Sequence, residues 1–236
     1  MLFSNDAFGM HLASGKRFDD EVTGWEHQAA KYYANILMPL SPVVTRALDR
    51  LTGLGTSAKI IAPDHGPIWR KDPGRILQLY SRWASRKPTR KAVVAYDTMW
   101  ESTAAMARSV AEGLFAGGAD PRVMDLKAHH RSDVATELLD AGALVVGSPT
   151  LNNNMLPAVA DLLTYLKGLK PCNLVGGAFG SYGWSGESVG QVRDALAAMG
   201  VETPEEDVKA KFAPDDGALQ RCYGLGCSLA RRLAEA

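Results

Sequence analysis

The sequence has few cysteines, no excess of either charge and no long apolar run. Its three cysteines, Cys172, Cys222 and Cys227, form no CxxC pair, which argues against a disulfide framework or a zinc site and is typical of a cytoplasmic protein. Because 26 Lys and Arg residues balance 26 Asp and Glu residues, we expect binding neither to nucleic acid nor to an anionic membrane. Without an apolar run of about eighteen residues or a basic leader at the N-terminus, neither a membrane span nor a signal peptide is predicted.

The 236 residues suffice for one large domain or two smaller ones. Hydrophobic residues make up 46% of the chain and charged residues 22%, which allows a sizeable core. Residues 85–90 are polar and basic and contain Pro88, as is common in interdomain linkers. We therefore predict a boundary here, with domains at 1–87 and 88–236.

The first region combines helices with two short strands. Helices are predicted at 25–37, 43–54 and 73–84, with prolines between the first two, and strands at 1–6 and 59–62. The first strand has no preceding element with which to pair, so we expect part of the fold to be missing upstream. Because little sheet remains, we expect some apolar side chains to stay partly uncovered until a second copy or a companion chain covers them. These are Leu2, Phe3, Ile60 and Ile61.

The second region alternates strands and helices. Strands are predicted at 92–95, 122–126, 143–147, 173–177 and 208–212, and helices at 102–115, 131–140, 155–168, 186–199 and 215–234. Five short apolar strands alternating with five helices predict an α/β fold with a doubly wound, parallel, five-stranded sheet. Ligands of such sheets bind at the carboxyl ends of the strands, where the strand order reverses, so the loops that follow the strands are the candidate binding segments.

The loop after the first of these strands leads into a helix and carries three hydroxyl side chains. Hydroxyls and free amides at the positive end of a helix dipole bind anions, and the absence of a Walker lysine favours a phosphate monoester over a nucleoside triphosphate. The predicted phosphate contacts are Thr98, Met99, Trp100, Glu101, Ser102 and Thr103. The alternative is that Ser102 and Thr103 only cap the helix.

The loops after the third and fourth strands are rich in glycine, asparagine and aromatic residues. Glycines let the backbone approach a flat ring, asparagines read its polar edge, and Trp100, Tyr182 or Trp184 can stack on its face. Three such loops suit flavin mononucleotide (FMN), whereas FAD is disfavoured because no GxGxxG follows the first strand. The predicted ring contacts are Pro149, Thr150, Leu151, Asn152, Asn153, Phe179, Gly180, Ser181, Tyr182, Gly183, Trp184 and Gly186. The alternative for each aromatic is a simple surface-loop anchor.

Residues 91–234 resemble a flavodoxin, and the loop sequence TMWEST resembles the phosphate loop of flavodiiron proteins, also called A-type flavoproteins. The sequence SNDAFG at 4–9 resembles that family's segment around its bridging aspartate, and APDHGPIW at 62–69 resembles the segment with its last histidine ligand. The resemblance therefore implies a truncated metallo-β-lactamase-like αβ segment at 1–87 and an FMN-binding flavodoxin-like domain at 88–236. It also implies Asp6 and His65 as metal ligands.

For the whole family the resemblance implies a diiron centre that reduces dioxygen to water or nitric oxide to nitrous oxide. Electrons pass from a rubredoxin or another donor to FMN, and then to the diiron site of the partner subunit in a head-to-tail homodimer. The family's H-x-E-x-D-H ligand run and a further histidine have no counterpart in this sequence. Since Asp6 and His65 alone cannot hold two irons, iron is expected only if the missing ligands are supplied elsewhere. Their alternatives are a turn aspartate and a hydrogen-bonded histidine at a strand end.

Three hypotheses remain open on the sequence. The first is an FMN-binding electron-transfer flavoprotein, related to oxygen and nitric oxide reductases, whose diiron site is incomplete. The second is a fragment or subunit of a complete flavodiiron reductase whose upstream ligands lie on a missing segment or another chain. The third is an interaction domain that holds no cofactor. The colour and iron content of the purified protein discriminate among them.

Overall fold

The computed structural model describes residues 1–53 and 58–235 and divides into two compact units, Met1–Lys87 and Pro88–Ala236. Leu54, the predicted end of the second helix, lies outside the described residues. None of the helices in the described part of the chain combines the length and the apolar character that crossing a membrane requires.

Within residues 1–53 and 58–87, the first unit contains two short strands and three α-helices. The strands are β1 (Leu2–Asn5) and β2 (Ile61–Pro63), and the helices are α1 (Trp25–Tyr32), α2 (Ser41–Gly53) and α3 (Pro73–Ala84). Strands β1 and β2 pair in parallel. The chain stays helical between α1 and α2, through a wide turn at Tyr33–Leu37 and a tight one at Met38–Leu40. The predicted break at the prolines is therefore wrong, because proline is tolerated in the first turn of a helical segment.

Aromatic rings fill the core of this unit. Tyr33, Tyr80 and Trp83 pack against one another, with ring centroids 5.1 to 5.7 Å apart. Ile61 is fully buried, contrary to the expectation that it would be left uncovered, because the chain returns beside it: Trp69, itself fully buried, exchanges two backbone hydrogen bonds with Ile61. Phe3, in contrast, is 76% exposed, as expected for an uncovered side chain.

The second unit is the predicted α/β sheet. Its main strands are β3 (Lys91–Tyr96), β4 (Asp120–Asp125), β5 (Ala143–Gly147), β8 (Val175–Tyr182) and β9 (Val208–Lys211), and a small hairpin consists of β6 (Thr150–Leu151) and β7 (Asn154–Met155). The helices are α4 (Ser102–Ala116), α5 (Arg131–Glu137), α6 (Pro157–Leu169), α7 (Glu187–Ala198) and α8 (Asp216–Glu235). One strand differs from the prediction: β8 starts later than expected and continues through five residues that were assigned to a loop, Ala178, Phe179, Gly180, Ser181 and Tyr182.

The five main strands lie in the order β4-β3-β5-β8-β9, and every pair is parallel. This confirms the predicted fold class. The strand order reverses at β3, which has β4 on one side and β5 on the other. Loops that leave the carboxyl ends of β3 and β5 therefore diverge to opposite faces of the sheet and leave a crevice between them.

Helices α4 and α8 pack closely on one face of this sheet. A Cβ atom on Gly113 would lie 2.0 Å from the carbonyl oxygen of Tyr223, and one on Gly226 would lie 2.1 Å from that of Val110. No side chain fits at either position, so the two glycines allow the backbones to approach. The contact helps to place the first turn of α4 at the carboxyl end of β3.

Candidate functional site

A cavity of about 720 Å³ opens at the carboxyl end of the parallel sheet. Its volume falls within the usual range for ligand sites. It brings together residues of all three predicted loops, namely Met99, Trp100, Ser102, Pro149, Thr150, Leu151, Asn152, Asn153, Ser181, Tyr182, Gly183 and Trp184. Ser185, Phe212 and Ala213 also line it. The position is the one that the strand order predicts for a ligand.

The loop after β3 places a buried hydroxyl at the start of α4. Thr98 is 1% exposed, and its Oγ1 has no hydrogen-bond partner among the residues that the structure describes. Leaving a buried hydroxyl unpaired costs free energy, so the site suits a ligand that accepts a hydrogen bond. Helix α4 begins directly after Glu101, and Ser102 in its first turn lines the cavity. These features fit a phosphate group.

Thr103 and Ser181 connect this loop to β8. Their hydroxyl oxygens are 3.3 Å apart, and both side chains are buried. The contact fixes the first turn of α4 against the carboxyl-terminal end of β8.

The loop after β5 is a tight hairpin. Asn152 and Asn153 form its two-residue turn between β6 and β7, with φ values of 49° and 61°. Two consecutive positive φ values define the hairpin turns in which asparagine and glycine are favoured. The two asparagines are therefore explained by the backbone conformation of the turn, which requires positive φ values. Both residues line the cavity.

Helix α7 braces this hairpin through two residues that the sequence analysis missed. Ser188 donates a hydrogen bond to the carbonyl of Ser148 at 3.0 Å, and its hydroxyl lies 2.8 Å from that of Thr150. Gln191 accepts from the amide of Met155 at 2.9 Å and donates to the carbonyl of Asn153 at 3.1 Å. Nothing in the local sequence distinguishes these two residues from ordinary polar residues on a helix.

Large exposed aromatic side chains stand around the cavity. Trp100 is 86% exposed, Trp184 is 96% exposed and Phe212 is 64% exposed. Phe212 was not predicted as a site residue, although β9 ends at the same edge of the sheet as the other strands, and this was the available signal. Rings so exposed are suited to packing against a flat, partly apolar ligand.

Several predicted contacts lie outside the cavity lining. Phe179 is fully buried in the core, where its ring fills the space above Gly147, because β8 is longer than predicted. Gly180 lies in the same strand, and a Cβ atom there would lie 1.9 Å from the carbonyl oxygen of Ser148. Gly186 precedes the first residue of α7. Thr98, Glu101 and Thr103 belong to the loop and the first turn of α4, where Thr98 and Thr103 are buried and Glu101 is exposed.

In the first unit, the parallel pairing of β1 and β2 places Asp6 beside His65. The register sets Asn5 opposite Pro63, and the amide of Asp64 donates to the carbonyl of Asn5 at 2.9 Å. The Nε2 atom of His65 lies 3.2 Å from Oδ1 of Asp6, with both side chains about half or more exposed. The structure therefore brings the two sequence-predicted metal ligands into contact.

A complete metal site is not formed by this pair. The ring of His11 lies 5.8 Å from that of His65, centroid to centroid, and packs against Tyr32. Among residues 1–53 and 58–235, no group of three or more His, Cys, Asp or Glu side chains could hold a metal ion. A pair of irons needs more donors than this, so the described residues alone do not fit a diiron centre.

Comparison with known protein families identifies the family to which the second unit is similar. Residues 94–226, more than half of the chain, match the family model for flavodoxin. The chain belongs to the flavodoxin family. Its sheet has the strand order of that fold, with the cavity at the reversal of strand order beside β3.

Longer relatives match both units. A nitric oxide reductase of Moorella thermoacetica is 48% identical over 238 residues, which cover 100% of this chain and 60% of that protein. The structure of rubredoxin oxygen:oxidoreductase from Desulfovibrio gigas matches with a TM-score of 0.95 and 42% identity, over 99% of this chain and 59% of that one. A flavodiiron protein from Giardia intestinalis matches with a TM-score of 0.92 and 31% identity, over 99% and 58% respectively.

These matches confirm the predicted resemblance to flavodiiron proteins. The chain spans about three fifths of the length of the relatives that it matches. It is thus a flavoprotein of the flavodoxin family with oxidoreductase relatives.

Proposed function

We propose that this chain binds FMN in the cavity and serves as an electron-transfer flavoprotein. The single observation that carries this is the meeting of three loops, from β3, β5 and β8, around a cavity of about 720 Å³ beside the unpartnered hydroxyl of Thr98. Membership of the flavodoxin family supports the choice of a flavin. The buried, unpartnered hydroxyl favours this proposal over an interaction domain without a cofactor.

Each loop has a separate role in the proposed site. Thr98, Ser102 and Thr103, with the amides of residues 99–101, hold the phosphate at the start of α4. The loops at 150–153 and 181–186 flank the ring, and Trp100 and Trp184 cover it from solvent. When bound, the flavin supplies the capacity to accept and donate one or two electrons. The chain binds it, orients it and limits the access of water.

The proposed phosphate contacts are tested by replacing the hydroxyl side chains of the loop with alanine. A Thr98→Ala, Ser102→Ala double variant should bind FMN at least about tenfold more weakly, because two donors to an ionised phosphate are lost. Riboflavin, which has no phosphate, should lose much less affinity. Thr164→Ala, an exposed position on α6, is the matched control. Retained FMN affinity in the double variant, measured by quenching of flavin fluorescence, would contradict this assignment of the phosphate site.

The donor, assembly and location are further parts of the proposal. We propose a rubredoxin or a similar small redox protein as the electron donor, since one relative is named a rubredoxin oxygen:oxidoreductase. We also propose a cytoplasmic homodimer, or an assembly with a companion chain. Sedimentation of the purified protein checks the assembly: a monomer at all concentrations tested would contradict a homodimer and leave only the companion chain.

A second candidate function is favoured by the contact between Asp6 and His65. The relatives are longer than this chain, and the two side chains lie 3.2 Å apart at the ends of β1 and β2. They are proposed to supply two ligands to a diiron centre of an oxygen or nitric oxide reductase whose other ligands lie outside this sequence. The single chain should then purify without stoichiometric iron and without turnover of either gas. Iron with turnover in the single chain would contradict the proposal.

A further inference from the structure

Lys127, which no sequence motif singled out, reaches the phosphate loop from the neighbouring strand. It follows β4, which pairs with β3 along its whole length, and the amide of Leu126 donates to the carbonyl of Tyr96 at 2.9 Å. The Nζ atom of Lys127 donates a hydrogen bond to the carbonyl oxygen of Thr98. The same ammonium lies 3.8 Å from Oδ1 of Asp97.

Asp97 holds the other end of Thr98. Its Oδ1 accepts a hydrogen bond from the amide of Thr98 at 2.7 Å, and its side chain is 11% exposed. The amide of Asp97 itself donates to the carbonyl of Gly147 at 3.2 Å, which ties the start of the loop to β5. Thr98 is therefore fixed at its amide by Asp97 and at its carbonyl by Lys127. Its hydroxyl is the group left unpartnered.

The positive charge of Lys127 lies near several carboxylates, among them that of Asp97, whose negative charge it partly offsets. Burial raises the pKa of Tyr96, the last residue of β3, and the charges of Asp125 and Glu101 raise it further, with Arg108 opposing. A dianionic phosphate bound at the start of α4 would add to this negative charge. The ammonium of Lys127 offsets the charge of Asp97 directly.

We propose that Lys127 is a positioning residue for the phosphate of the bound ligand. It forms a clamp with Asp97 that fixes the backbone of Thr98, so that the buried hydroxyl is held ready for an anion. Its positive charge makes the loop selective for a phosphorylated flavin over the same flavin without phosphate. The proposal rests on the proposed function, because it concerns the same cavity.

The test compares FMN with riboflavin in the full chain. Lys127→Met should weaken FMN binding about tenfold, the usual effect of losing one hydrogen bond to a charged group, and should change riboflavin binding less than about twofold. Lys127→Arg keeps the charge and a donor, so its FMN affinity should stay within about threefold of the wild type. The matched control is Lys167→Met, at an exposed position on α6. Unchanged FMN affinity in Lys127→Met, or an equal loss for both flavins, would overturn the proposal.

A second measurement needs no flavin. Amide hydrogen exchange across residues 97–103 of the flavin-free protein should become about tenfold faster in Lys127→Met, and not in Lys167→Met, because the Thr98 carbonyl is released. If the wild type takes up no FMN, the proposed function fails, and the exchange result still decides whether the clamp exists. If the wild type binds FMN and the exchange of this segment is unaffected, the clamp alone is refuted.

Discussion

The hydroxyl oxygens of Thr103 and Ser181 lie 3.3 Å apart, although 78 positions separate the two residues in the sequence. Thr103 is in the first turn of α4 and Ser181 is near the end of β8, so the pair joins the loop proposed for phosphate to the strand that leads into a ring loop. Both side chains are buried. The contact is thus a structural link within the candidate site that no local motif encodes.

Removing one member of this pair should leave the other buried without a partner. Ser181→Ala and Thr103→Val are each expected to lower the free energy of unfolding of the second unit by about 1–2 kcal/mol. The double variant should lose less than the sum, because the two hydroxyls share one interaction. Urea unfolding of the full chain measures this. Strictly additive losses would show that the two hydroxyls do not interact.

We expect the backbone of Glu101 to be strained and its negative charge to repel a phosphate group bound at the start of α4. Its φ is 62°, a conformation that glycine adopts more readily, and it precedes the helix start proposed to bind phosphate. Glu101→Gly should raise the free energy of unfolding by about 1 kcal/mol, and Glu101→Gln should tighten FMN binding.

Lys170 provides the matched control for this prediction. It has a φ of 51° at the end of α6, away from the cavity lining. Lys170→Gly should give a similar gain in thermal stability with no change in FMN affinity. A loss of stability in both glycine variants would show that the positive φ values are not strained.

Asp19 should give the first unit a stability that is lost in acid. Burial raises the pKa of its carboxyl group, but backbone hydrogen bonds from Arg70, Asp72 and Lys71 outweigh this and lower the pKa overall. A lowered pKa in the folded state means that the contribution is present above the unfolded pKa of about 3.9 and disappears as the pH falls through the folded value.

Asp19→Asn should therefore cost about 1–3 kcal/mol of unfolding free energy at pH 7, and the difference from the wild type should shrink as the pH falls below about 4. Asp20→Asn is the control, since Asp20 pairs with Arg70 at the surface and should cost less than about 1 kcal/mol. Urea unfolding at several pH values checks both. A pH-independent loss in Asp19→Asn would contradict the hydrogen-bonding account.

Two of the cysteines, Cys172 and Cys222, should react very differently with thiol reagents. Burial raises the pKa of the Cys222 thiol to about 12, whereas Cys172 is exposed. Since the thiolate is the reactive form, a maleimide at pH 8 should modify Cys172 in the native protein and leave Cys222 intact until urea is added. Peptide mass mapping gives the result, and early labelling of Cys222 would show that α8 opens readily.

The fold of the second unit could be predicted because its signals are local. Apolar runs such as residues 143–147 and periodic helices are read directly from the sequence, and the structure confirms the parallel five-stranded sheet. The extent of β8 could not be predicted, because Phe179 and Gly180 sit in a glycine-rich stretch that resembles a loop. Only pairing with β5 and β9 shows that they form a strand.

Some residues of the candidate site could likewise be predicted from the sequence, and others could not. Thr98 and Ser102 could be found because they occupy a short segment between a strand and a helix. Ser188, Gln191 and Lys127 could not, because each acts across the fold on a loop that is distant in sequence. The contact between Asp6 and His65 was suggested only by resemblance, and the parallel pairing of β1 and β2 supplies its physical reason.

The binding of FMN is tested by the flavin content of the protein as purified or after incubation with flavin. The bound flavin is released, identified by chromatography and mass, and compared with the protein concentration. We expect about one FMN for each chain, with the fluorescence of that flavin quenched while it is bound. A protein that takes up no FMN, or that retains FAD in its place, would show that the cavity is not an FMN site.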